Sequence, residues 1–100
     1  MPVKPETVTF KDCYDSYWEK LGGEPCHLVV ENDVHICVQE DIVFYKRVID
    51  EHLFNLKKDL LVMDASMREE RTEIVMSRVS HCLSIIYLRS DEIHQRIKYQ

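Results

Sequence analysis

Cys26-His27-Leu28-Val29-Val30-Glu31-Asn32-Asp33-Val34-His35-Ile36-Cys37-Val38 is where this chain leaves a helical rhythm, and its reading decides the fold class. Two runs rich in β-branched residues flank Asn32-Asp33, a good two-residue turn. Such a turn pairs Glu31 with Val34, Val29 with Ile36 and His27 with Val38. Val29, Val34, Ile36 and Val38 then share one face, and Leu28, Val30 and Cys37 the other. Both faces are apolar, so both need cover. A hairpin alone is marginal in water and must dock on helices or extend a partner's sheet. The alternative is a helix from Pro25, which would make the protein an all-α helical bundle. The β-branched content favours the hairpin, near residues 26–38.

On the N-terminal side, Pro2 and Pro5 disfavour helix at and before themselves, so residues 1–8 read as an extended arm. Thr9 is a good N-cap, with Asp12 three residues on to complete a capping box. Phe10, Cys13, Tyr14, Tyr17, Trp18 and Leu21 then recur at helical spacing, with Lys11, Asp12, Asp15 and Glu19 off the stripe. Gly22-Gly23 is a natural stop.

On the C-terminal side, residues 40–63 carry Ile42, Tyr45, Ile49, Leu53, Leu56, Leu60 and Met63 within about 60° of one meridian. Val43, Phe54 and Leu61 form a second strip about 100° away. A stripe that wide meets more than one neighbour. Ser66 and Glu69 form a capping box that opens a last helix from Met67, with Val75, Val79, Cys82, Ile86, Ile93 and Ile97 on its apolar face. That helix would be on the order of 50 Å long, whereas a compact domain of this length has a radius of gyration of about 13 Å. The helix must break, with Ser90 as a new N-cap, or project and be covered by something else. The architecture expected is therefore α+β, mostly α: an N-terminal amphipathic helix, a short hairpin and two long antiparallel helices in a single domain over residues 9–100.

Composition is globular, with 45% hydrophobic and 31% charged residues. The net charge is −5, concentrated in residues 1–38, while residues 64–100 are neutral. Bulk attraction to nucleic acid or an anionic membrane is thus not indicated. No apolar run approaches the roughly 20 residues that span a bilayer, and Met1–Glu6 has no hydrophobic signal core. Cys13, Cys26, Cys37 and Cys82 contain no CxxC spacing and read as reduced thiols, which places the protein inside the cell, in cytoplasm or nucleus.

The polar constellations are weak. Cys26, His27, His35 and Cys37, with Cys13, invite a zinc site. In the hairpin register, however, Cys26 and Cys37 share a face that His27 does not, so four ligands converge poorly and no cofactor or metal is expected. His81-Cys82 is the one nucleophile–base pairing on offer, and adjacent helical residues diverge by about 100°. There is no phosphate loop and no nucleophile elbow. The expectation is a binding protein rather than an enzyme, with no small-molecule substrate.

Two surfaces can do the binding. The first is apolar. Trp18, with Ile42, Ile49, Leu53, Leu56 and Leu60 on one helix and Val75, Val79, Ile86 and Ile93 on the next, would form an interface with a second copy or another helical protein. Trp18, clustered with Phe10, Tyr14 and Tyr17, reads first as core and only second as an interface anchor. The function expected is a protein–protein interaction module, either a small self-associating adaptor or a subunit of a larger complex. The second is a line of arginines. Arg71, Arg78, Arg89 and Arg96 are spaced 7, 11 and 7 residues apart, which puts them within about 20° of one line. They either flank a helix–helix seam and pair with acids such as Glu40, Asp50 and Asp59, or form a ladder for the phosphates of duplex RNA or DNA. The latter would make the protein a small nucleic-acid-binding regulator of the kind viruses encode.

Overall fold

The computed structural model describes residues 5–24, 26 and 40–98. Within them the elements are a 3-10 turn, Pro5–Thr7, and three helices: α1 (Phe10–Leu21), α2 (Glu40–Val62) and α3 (Ala65–Lys98). Where an extended arm was expected, Pro5–Thr7 coil into that single turn and Val8 joins the core.

Helix α1 begins and ends on its sequence signals. Asp12 N–H donates to Thr9 Oγ1 at 3.3 Å, and Thr9 N–H donates back to Asp12 Oδ2 at 3.0 Å, closing the capping box. At the other end Gly22 adopts φ 72°, open without penalty to a residue lacking Cβ. Gly22 N–H donates to the Glu19 carbonyl and Gly23 N–H to that of Trp18, a Schellman pattern. A Cβ on Gly23 would lie 3.0 Å from the Trp18 ring, so a second glycine is needed for close approach.

A connection of two residues, Met63-Asp64, joins α2 to α3 and makes them antiparallel. Asp64 precedes the first turn, and Met67 N–H donates to its carbonyl. Helix α3 therefore opens at Ala65, slightly before the Ser66–Glu69 box, a difference within normal helix-end fuzziness. Ile42, Ile49, Leu53, Leu56 and Leu60 pack against Val75, Val79, Cys82, Leu83, Ile86 and Ile93. Phe10, Cys13, Tyr14 and Trp18 of α1 close that seam from one side. At roughly 25 cal/mol per Å² of apolar surface, this burial is the main driving term for the fold.

The α+β expectation is corrected. Every described element is helical, and among the described residues there is no strand, which matches the all-α alternative. The aromatic face of α1 already covers the α2–α3 seam, so that core closes without a sheet. The hairpin residues themselves, Cys26 apart, lie outside the described residues.

The long last helix does not break at Ser90. Ser90 is fully buried in mid-helix, and its hydroxyl is hydrogen-bonded to Tyr14 Oη at 3.2 Å. The Tyr14 hydroxyl also donates to the Cys26 carbonyl at 3.3 Å. Helix α3 sets the length of the molecule, whose longest extent is 53 Å with a radius of gyration of 14.6 Å. It projects in length yet is covered by successive elements. The turn at Pro5–Thr7 lies near its start, where Arg68 pairs with Glu6, and α1 reaches it at Tyr87 and Ser90.

Candidate functional site: the open face of the helical hairpin

The residues expected to form an apolar interface are spent inside one chain. Ile42, Ile49, Leu53, Leu56, Leu60, Val75, Val79, Ile86, Ile93 and Trp18 are all buried in the single core. A helical stripe marks what must be covered, not by what. Trp18 is 3% exposed and lies 4.6 Å, centroid to centroid, from the Tyr87 ring. Its indole N–H makes no hydrogen bond of normal geometry among the described residues, although it comes close enough to the Tyr14 hydroxyl to act against the rise of that group's pKa.

The arginine line is partly spent too. Arg71 pairs with Asp59 at 2.9 Å and Arg89 with Asp41 at 2.6 Å, both across the α2–α3 seam. The flank expected for a helix–helix packing is thus present at both ends. Its acids are Asp59, as expected, and Asp41, a neighbour of the expected Glu40. Asp50 instead lines the α1 side, beside a cavity of about 250 Å³ with Val8, Phe10 and Lys57. Asp41 raises the Arg89 pKa further, first by hydrogen bonding and then by charge. Arg78 is exposed and makes no ion pair among the described residues. The side chain of Arg96 lies outside them.

Two exposed apolar strips remain. On α2, Phe54 and Leu61 of the strip read from sequence are exposed, and Val43 is half-buried. Lys58 Nζ stands 5.6 Å over the Phe54 ring, and this strip adjoins α1. The other strip is on the opposite side. Around α3, the core residues Val75, Val79, Cys82, Ile86 and Ile93 span about 60°, and Met67, Ile74, Ile85 and Leu88 centre about 100° to one side. Tyr87 and Met76 lie about 100° to the other, the side that α1 occupies through Trp18. Phe44 and Val48 take the matching position on α2, as does Asp41, which faces Arg89. Among the described residues the hairpin therefore has a covered face and an open face. On the open one Phe44 is 58% exposed, Leu88 62%, Met67 54% and Ile74 41%; Ile85 and Val48 are half-buried. Along α3 these side chains recur on one face, with the exposed Arg78 and His81 between Ile74 and Ile85. Sequence reading missed this face, although the same 100° arithmetic on Met67, Ile74, Ile85 and Leu88 would have separated it from the core stripe.

The thiols of Cys13 and Cys82 are not activated. Burial pushes the Cys13 thiol up to about 11, helped by the Asp12 charge, and burial likewise raises Cys82. Nucleophilic thiols need the reverse shift. His81 is exposed and Cys82 buried, so the pair diverges as the helix geometry requires. Among the described residues no cluster of His, Cys, Asp and Glu could hold a metal ion, and of the zinc candidates His27, His35 and Cys37 lie outside them. A cleft of about 730 Å³ runs between Pro5-Glu6 and Arg68–Glu73, and among its lining residues the carboxylates Glu6, Glu69 and Glu73 face one cation, Arg68. Among the described residues no helix is long and apolar enough to cross a membrane. The chain matches no family model, no curated protein and no solved structure.

Proposed function

We propose that this chain is a small interaction module that self-associates, alone or as a subunit of a larger complex, through the open face of its α2–α3 hairpin. The observation that carries this reading is the strip of exposed apolar side chains, Phe44, Met67, Ile74 and Leu88, on the side of the hairpin that α1 leaves uncovered. The core is complete without them, so their exposure serves no folding need. The raised pKa values of Cys13 and Cys82 count against either thiol as a nucleophile. Cys13 and Cys82, kept as buried thiols, suit a reducing intracellular compartment, cytoplasm or nucleus.

Binding of duplex RNA or DNA along the arginine line is the weaker reading. Two of its four members are neutralised by Asp59 and Asp41, and phosphate binding would have to compete with those pairs. Light scattering on the purified chain, with and without duplex RNA, tests both readings. A solution mass above one chain that RNA leaves unchanged is expected. A monodisperse monomer at every concentration overturns self-association, and a mass that rises only with RNA installs the other reading.

A further inference from the structure

We propose that the occupant of the open face is a second copy of this chain, packed with α3 antiparallel to α3 about a two-fold axis at Ile85, so that Arg78 of each copy meets Glu92 of the partner subunit. The inference rests on the self-association just proposed and specifies its register.

Arg78 stands seven residues before Ile85 and Glu92 seven after it. Seven residues are about two helical turns, or about 10 Å, so all three fall within about 20° of one line. A two-fold axis normal to a helix reverses its direction and sets each residue before the axis against the one equally far after it. Centred on Ile85, it brings Arg78 and Glu92 together twice, once on each side. Any other centre within a turn loses both pairs.

Both charges are available for this use. Arg78 is exposed and unpaired among the described residues. Glu92 is half exposed, and its one ion pair among the described residues, to Arg89, is long at 3.4 Å. Arg89 does not depend on it, since Asp41 holds that guanidinium at 2.6 Å.

Asp41 faces Arg89 and Asp59 faces Arg71, so Ile85 is level with Tyr45 on α2. Phe44, Val48, Ile85 and Leu88 therefore gather near the axis, beside the Arg89–Asp41 pair and the exposed His81, with Arg78 and Glu92 farther out. A mixed apolar and polar surface of this kind is usual for a non-obligate interface. The complementarity also argues against a foreign helix, because the face already carries the counter-charge to its own cation at the symmetric position.

Sedimentation equilibrium across a wide concentration range tests the register through charge reversal. Arg78→Glu and Glu92→Arg should each weaken the dimer by about tenfold or more, since each creates two like-charge contacts. The double variant should recover most of the loss, because the pairs re-form with exchanged signs. Leu88→Glu, at the axis, should leave a monomer. Circular dichroism and the melting temperature should stay near wild type throughout, as these side chains are exposed. A dimer indifferent to either single reversal, or a double variant no better than the singles, overturns the register while leaving self-association standing. A wild-type chain that is monomeric throughout overturns both.

Discussion

Trp18→Ala separates a core residue from an interface anchor, and its cost follows from the surroundings of the ring. The side chain is 3% exposed and touches Tyr14, Tyr87 and Gly23. Truncating a buried tryptophan costs about 3–5 kcal/mol, including the cavity left behind. One gain offsets this: the indole N–H is buried without a hydrogen bond of normal geometry among the described residues, and removing such a donor recovers about 1–3 kcal/mol. The net loss expected is about 2 kcal/mol, a large share of the roughly 5–15 kcal/mol that holds a domain together. With a urea m-value of about 1–3 kcal/mol/M, the midpoint should fall by roughly 0.7–2 M. Far-ultraviolet circular dichroism is the right probe, because Trp18 is the only tryptophan and its fluorescence leaves with it. Trp18→Phe keeps a ring and drops the N–H, so it should stay within about 1.5 kcal/mol of wild type. If the alanine variant loses less than about 1 kcal/mol yet no longer self-associates, Trp18 is an interface anchor and the reasoning fails.

The remaining expectations are simpler. Ser90→Ala should cost about 1–2 kcal/mol in denaturant titrations by depriving the buried Tyr14 hydroxyl of a partner, and an unchanged midpoint would show that the hydroxyl finds another. The Cys13 thiol has a raised folded pKa, about 11 against an ordinary 9.0, so its protonated form carries the stabilisation. That contribution is complete below pH 9 and is lost as pH rises toward 11, and Cys13→Ala should flatten this limb of a stability–pH profile. Arg71→Gln should lower stability by at most about 1 kcal/mol, as partly exposed pairs do, and Arg78→Gln should leave the melting temperature unchanged. Duplex RNA titrated into the wild-type chain should give no binding that falls steeply with salt; micromolar binding lost in the Arg78→Gln, Arg89→Gln double variant would reinstate the phosphate ladder.

Much of the molecule is legible in the chain alone because it is local. Thr9 with Asp12 and Gly22 with Gly23 mark both ends of α1, since capping involves only neighbours within a turn. The helical period places the core stripes of α2 and α3 and aligns the arginines, for angle around a helix depends only on spacing. What covers each stripe is a different matter. Ile49 and Val79 are equally apolar against a partner or against each other, and only the two-residue turn and long-range packing bring them together in one chain. Ser90 looks like a helix start because serine caps helices, yet Tyr14, 76 residues away, supplies the partner that lets it sit buried in mid-helix. The pairing of Asp41 with Arg89 depends on the register between α2 and α3, which spacing within either helix does not contain. The open face emerges last for the same reason. Met67, Ile74, Ile85 and Leu88 are one more apolar strip until α1 settles on the other side of the hairpin, and tertiary packing alone decides which side is left bare.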